Sequence, residues 1–167
     1  MTVTNIEATS STETVTRRPA TDSDLDFLRA VYGSTRATEM ALVNWSDEQK
    51  RDFLDMQFHA QHKFYHENYP DAQYDILELD GEPIGRIYVD NRPTEIRLID
   101  IALLPEYQNR RIGSALILKL MEDAAKIKLP ITLHVEVFNR AQELYHRLDF
   151  KRIRDDGLYI FMEWNPS

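Results

Sequence analysis

Directly after a Pro105-Glu106-Tyr107 turn the chain reads Gln108-Asn109-Arg110-Arg111-Ile112-Gly113-Ser114-Ala115, a run suited to holding an anion. The first N–H groups of a helix lack intrahelical partners, and the macrodipole adds partial positive charge at the same end. Phosphate is drawn to such a place. Gly113 has no Cβ, Ser114 and Ala115 are small, and Arg110 and Arg111 carry charge that can pair with phosphate oxygens. An ordinary helix start in an α/β protein can show the same features, because short glycine motifs are common. A second group of chemically able residues, His59, His62 and His66, is spaced to share a helix face. One helix cannot complete a tetrahedral site and the chain has no cysteine, so no metal is expected and the face reads as wet or groove-lining. His134 and His146 read as structural.

The elements that must position the cradle are legible on either side of it. Ile96, Leu98, Ile99, Ile101, Leu103 and Leu104 make an apolar strand before it. Ile112, Leu116, Leu120 and Ala124, with Ile117, Met121 and Ile127, make a helical stripe after it. Upstream, Met1 to about Glu13 is rich in Thr and Ser and is expected to be a disordered tail, leaving 14–167 as a single domain. Val15–Arg18 reads as a strand ending at Pro19, and Thr21–Asp24 as the cap of a helix that buries Leu25, Leu28 and Val31-Tyr32. From Gly33 to Trp45 the pattern is irregular. Ser46-x-x-Gln49 is a capping box for a helix to about Asn68, with Phe53, Met56, Ala60 and Phe64 on one stripe and Leu54, Phe58 and Tyr65 beside it. Tyr74–Leu79 and Pro83–Val89 form a hairpin about Asp80-Gly81. After the cradle helix, Ile131–Val137 is a buried strand, Asn139–Leu148 a short helix, and Lys151–Ile153 with Leu158–Trp164 a final hairpin. Strands before and after a central β-α-β unit indicate a mixed α/β sheet.

At 167 residues the chain suits one domain, and 43% hydrophobic with 29% charged residues is a globular composition. A net charge of −8 argues against a nucleic-acid binder and favours a cationic acceptor. No apolar run approaches the length of a membrane span and no leader pattern opens the chain, so no membrane association is expected. The absence of cysteine fits a cytoplasmic location.

The strand, the Pro-Glu-Tyr turn and Gln108-x-x-Arg111-x-Gly113-Ser-Ala-Leu together resemble the acyl-CoA-binding motif of the GNAT superfamily of N-acetyltransferases, written there Gln/Arg-x-x-Gly-x-Gly/Ala. Arg111 stands where the first glycine usually is. Downstream, Asn139-Arg-Ala141-Gln-Glu-Leu144-Tyr145-His-Arg-Leu-Asp149-Phe150 is similar to the family's Asn-x-x-Ala-x-x-Leu-Tyr-x-x-x-Gly-Phe block. Asn139 lies one residue closer to Ala141 than usual, and Asp149 replaces the glycine. The opening Arg-Arg-Pro-Ala-Thr-x-x-Asp-Leu also resembles that of the family.

The resemblance implies a mostly antiparallel, twisted mixed sheet flanked by helices, with acetyl-CoA as cosubstrate and an acceptor amine, small or on a peptide. It implies that Gln108, Asn109, Arg110, Arg111, Ile112, Gly113, Ser114 and Ala115 hold the pyrophosphate. It further implies that Ile101, Ala102 and Leu103 hold the pantetheine and acetyl group through their backbone, that Asn139 binds the pantetheine arm, and that Tyr145 is the general acid beside the sulfur. The N-terminal helices would wall the acceptor site, with Thr35, Arg36, Glu39, Trp45, Gln57 and Gln61 as candidate contacts. Direct transfer needs a proton acceptor, because an alkyl ammonium near pKa 10.4 is protonated at neutral pH. Asp100, the only acid in the Leu98–Leu104 run, with Leu98, Ala102 and Leu104 as alternation partners, is the first candidate, and Glu136 the second. The other reading of Asp100 is a carboxylate held by a neighbouring strand or arginine. A catalytically silent acyl-CoA-binding regulatory domain is the alternative function, and strand edges at the C-terminal hairpin leave a homodimer open.

Overall fold

The computed structural model describes Asn5–Glu7 and residues 14–167. In chain order the elements are β1 (Asn5–Glu7), β2 (Thr14–Pro19), α1 (Leu25–Thr35), α2 (Ala37–Ala41), α3 (Asp47–Asn68), β3 (Gln73–Leu79), β4 (Glu82–Asn91), β5 (Ile96–Leu103), α4 (Ile112–Lys126), β6 (Ile131–Glu136), α5 (Ala141–Arg147), β7 (Lys151–Asp155) and β8 (Tyr159–Trp164). Short 3₁₀ turns precede α1 and follow β5. Among the described residues the strands form one sheet in the order β1-β2-β3-β4-β5-β6-β8-β7. Its neighbours are antiparallel except β5 and β6, which are parallel and joined through α4.

Helices cover both faces of this sheet. On one face α4 buries Ile112, Leu116, Ile117, Leu120 and Ala124 against Leu77, Ile87, Leu98, Leu133 and Met162, and Tyr145 and Phe150 complete that core. On the other, Leu28, Tyr32 and Phe58 pack on Ile76 and Tyr88. No helix of the described residues is long and apolar enough to cross a membrane.

Caps behave as their residues dictate. Ser46 Oγ accepts from Gln49 N at 3.1 Å and Gln49 Oε1 accepts from Ser46 N at 2.9 Å. Before α1, Asp24 accepts from Thr21 N at 2.8 Å and takes both Nη groups of Arg18 at 2.8 Å.

Several expectations need correction. The stretch 33–45 is largely helical, because α1 runs on to Thr35 and α2 follows at once. The N-terminal tail contains a strand, β1, paired with β2, and the rest of 1–13 lies outside the described residues. On α3 the buried line is Phe58 with Leu54 and Tyr65, whereas Met56 and Phe64 are more than half exposed. Both lines have helical spacing, and burial went to the one facing the sheet. Ile127, placed on the stripe of α4, is exposed just past the end of that helix.

Candidate acyl-transfer site

The site begins where two strands part. β5 and β6 pair only over Ile96/Ile131, Arg97/Thr132 and Leu98/Leu133, although β5 continues to Leu103 and β6 to Glu136. At the same level β5 bulges against β4: Tyr88 faces Asp100 and Val89 faces Leu98, so Ile99 is the inserted residue. The bulge resets the alternation. Leu98, Ile101 and Leu103 turn toward α4, while Ile99 joins the α1/α3 core and Asp100 pairs with Arg86 on that side. Leu98 is therefore not on the face of Asp100, contrary to the simple period-two reading. Beyond Leu98 the backbone of Ile101, Ala102 and Leu103 is paired with β4 on one edge and carries no β6 partner on the other.

The glycine-poor cradle adopts a glycine-like shape. Asn109 and Arg111 have φ of 60° and 62°, and Arg111 is the N-cap of α4. The helix thus starts at Ile112, four residues later than the first residue of the motif. Gln108 is held by its side chain, whose Nε2 donates to Leu103 O at 2.9 Å. Ala115 N is the first to bond back, to Arg111 O at 3.1 Å, so the amides of Ile112, Gly113 and Ser114 open the helix. Gly113 faces open space where a Cβ would stand. Arg110 sits over the Tyr107 ring at 5.5 Å. The left-handed conformation of Arg111 is one that glycine adopts without steric cost, in keeping with the glycine usual at that position of the motif.

On the opposite side of the opening, α5 supplies Tyr145, buried and packed 5.5 Å from Phe150. Burial, and secondarily the Asp100 carboxylate, raise its hydroxyl above the ordinary phenol pKa, so it stays protonated. Asn139 Oδ1 accepts from Ala141 N at 2.8 Å, at the first residue of α5.

Both candidate proton acceptors are engaged by arginines. Asp100 Oδ2 lies 2.5 Å from Arg86 Nη2, and Arg86 is only 3% exposed. Arg86 also donates to Gln61 Oε1 at 2.9 Å and sits over the Tyr88 ring. Glu136 takes Arg36 Nη2 at 3.0 Å. Asp100 thus has the arginine partner that the sequence left as its other reading.

A groove of about 580 Å³ opens on the α1/α3 side of the parting strands. Tyr32, Arg36, Gln57, Gln61 and Phe64 form one wall, Leu98 and Ile99 the floor with Arg97 and His134, and Asp156 with Tyr159 the far wall. Of the expected acceptor contacts, Arg36, Gln57 and Gln61 line it. Thr35 instead bonds Tyr32 O at 2.6 Å, Glu39 pairs with Arg36, and Trp45 packs on Phe53. Arg86, Arg97 and Tyr159 were missed. The signal for the first two was a cation inside each apolar strand run. His134, read as structural, lines the groove.

The three histidines of α3 are engaged in ring packing: His62 and His66 lie 4.3 Å apart, and His66 stacks on Tyr74 at 4.0 Å. No group of three or more His, Asp or Glu among the described residues gathers at metal-holding distance.

Relatives share this architecture. PaiA N-acetyltransferase from Thermoplasma acidophilum, in complex with coenzyme A, superposes with a TM-score of 0.68 at 22% identity, over 90% of this chain and 98% of that one. The ribosomal-protein-S18-alanine N-acetyltransferase from Escherichia coli gives 0.60 at 22% identity, over 92% and 94%. These are likenesses of fold. In sequence, 85 residues are 29% identical to the uncharacterized N-acetyltransferase YlbP of Bacillus subtilis (strain 168), 51% of this chain and 48% of that protein. The match spans about half the length of this curated relative. Residues 37–150, from α2 to the residue before β7, match the acetyltransferase (GNAT) family model. That stretch takes in the bulged strand, the cradle and Tyr145, and on it the chain belongs to the acetyltransferase (GNAT) family.

Proposed function

We propose that the protein moves an acetyl group from acetyl-CoA directly to a primary amine. The observation that carries this reading is the parting of β5 from β6 at Leu98/Leu133, with the cradle on its α4 side and the groove on its α1/α3 side. Two ligands can approach one gap from opposite faces. In this reading the amides of Ile112, Gly113 and Ser114, with Arg110 and Arg111, hold the pyrophosphate. The unpaired edge of Ile101, Ala102 and Leu103 aligns the pantetheine arm and offers an N–H to the developing oxyanion. Asn139 orders the start of α5 and so sets the depth of Tyr145. Protonated Tyr145 donates to the departing thiolate.

Arg86 changes the part given to Asp100. With Oδ2 against the guanidinium, the other oxygen of the carboxylate is the one left to accept a hydrogen bond from the incoming ammonium. Asp100 then orients the amine, and its proton leaves through groove water. The fitting of PaiA with coenzyme A supports the cosubstrate by likeness of fold.

Thermal unfolding with and without acetyl-CoA, followed by thiol release with amines, tests the proposal. A ligand at a hundredfold its dissociation constant stabilises by about 2.7 kcal/mol, roughly 5–10 °C at this size. No shift at millimolar acetyl-CoA would overturn it. Binding with no turnover of any amine would favour the regulatory alternative.

A further inference from the structure

Arg97 lies on the floor of the groove and is 9% exposed. Its Nε donates to Thr132 Oγ1 at 2.8 Å and its Nη1 to His134 Nδ1 at 3.1 Å. The nearest carboxylate, Glu95, is 3.8 Å from Nη2, beyond hydrogen-bond distance, and is already shared with Arg92 and Thr132. A guanidinium has five N–H donors and no acceptor. Three of the five in Arg97 therefore have no acceptor among the described residues.

Its neighbour is set in the same sense. Because Arg97 can only donate, His134 Nδ1 must accept, and the neutral ring carries its proton on Nε2. Burial first, then Arg97 and Arg154, lower the pKa of this ring below the ordinary imidazole value, against a smaller opposing effect of Asp156 and Glu95. Tyr159 adds a hydroxyl on the adjoining wall, and the one acid lining the groove, Asp156, is bonded by Arg154 Nε at 2.9 Å. The floor is thus a cluster of donors around a guanidinium that has Glu95 at 3.8 Å and the Phe161 ring at 5.4 Å but keeps N–H groups without an acceptor, in a protein of net charge −8.

We propose that Arg97 and His134 form a subsite for an acid group carried by the acceptor, so that the substrate is an amine bearing a carboxylate. This rests on the acetyl-transfer reading above. Arg97 and Asp100 are three positions apart on β5, a separation of about 7–10 Å with the bulge included. An amine held at Asp100 and a carboxylate held at Arg97 then belong to one molecule with a spacer, an ω-amino acid or a short peptide. An α-amino acid is too short to touch both.

The test compares thiol release from acetyl-CoA with 6-aminohexanoate, its neutral counterpart 6-aminohexanamide, and glycine. The acid should exceed the amide in kcat/KM by at least about tenfold, as expected for charge-assisted bonds to a buried guanidinium. Glycine should be the poorest of the three. Arg97→Gln should bring the acid-to-amide ratio toward one, Arg97→Lys should keep part of it, and His134→Gln, which can still donate, should keep more than His134→Phe. Melting with hexanoate against hexanamide reads binding without turnover. A shift with hexanoate alone, lost in Arg97→Gln, supports the subsite even where no amine reacts, in which case only the transfer reading fails. Turnover of acid and amide at equal kcat/KM, or equal shifts with the two amine-free ligands, overturns the subsite and leaves the transfer reading standing.

Discussion

Removing Asp100 should unfold the protein more readily than removing Arg86, and removing both should cost little. The Arg86 side chain is 3% exposed and that of Asp100 22%, with 2.5 Å between them. In Asp100→Leu the guanidinium stays charged and buried, left with the Gln61 carbonyl at 2.9 Å and the face of Tyr88 at 4.9 Å. Breaking a buried pair in this way costs about 3–5 kcal/mol. In Arg86→Met the orphan is a partly exposed carboxylate, which water can reach, and the cost should be nearer about 1–3 kcal/mol. Arg86→Met with Asp100→Leu removes both charges and replaces them with apolar groups, which is often close to neutral. Urea unfolding at pH 7, followed by the fluorescence of Trp45 and Trp164, measures all three. With a slope of about 2 kcal/mol/M, the Asp100 variant should lose roughly 1.5–2.5 M in midpoint. Costs that are equal for the two single variants, or that add within about 0.5 kcal/mol in the double, would refute the reasoning. A large coupling also means that the activity of Asp100→Asn must be referred to the folded fraction.

Tyr145→Phe should lower kcat by roughly 10²–10⁴ as expected for a lost general acid, yet leave the unfolding free energy within about 0.5 kcal/mol, because the ring and its packing on Phe150 are kept. Unchanged kcat would remove Tyr145 from the chemistry. Arg111→Gly relieves a left-handed residue at φ 62° worth about 1–2 kcal/mol, offset in part by glycine's greater freedom when unfolded, and should raise the thermal midpoint slightly. A fall of several degrees would show that the arginine side chain holds the loop. Stability should also decline below neutral pH. Burial lowers the pKa of both His62 and His66, and His62 additionally feels His66, His59 and Arg86 against a small opposing effect of Asp22. The unfolded chain then binds more protons than the folded one, so this contribution is complete above about pH 6.5 and is lost as pH falls below it. Urea midpoints from pH 8 to 5 should trace that decline, and the double variant His62→Gln/His66→Gln should flatten it.

The cradle was readable because it is local: the turn, Gln108, Gly113 and the stripe of α4 are continuous in sequence, and the helix and its loop lie where they suggest. The capping boxes at Thr21–Asp24 and Ser46–Gln49 were readable for the same reason. What escaped depends on partners distant in the chain. Nothing in Leu98-Ile99-Asp100-Ile101 marks Ile99 as an inserted residue, since the bulge exists only relative to Tyr88 and Val89. On α3 two apolar lines competed, and only the position of the sheet decides that Phe58 is buried and Phe64 lines the groove. The bond from Ala141 N to Asn139 depends on the exact start of α5. Arg86 and Arg97 did leave a trace, a charge in each apolar strand, but the carboxylate and hydroxyl they reach come from other strands.

The short parallel seam between β5 and β6 divides the sheet into two panels held edge to edge by only three residue pairs. Asp100 and the cradle belong to the first panel, while His134, Glu136 and Tyr145 belong to the second. The working arrangement is therefore a property of the joint and of neither panel alone. Amide exchange along β6 and β8 should report opening of the joint separately from the slower exchange of β3 and β4. Any ligand lying across the gap straps one panel to the other, so its strongest protection should appear at the seam, beyond the atoms it touches.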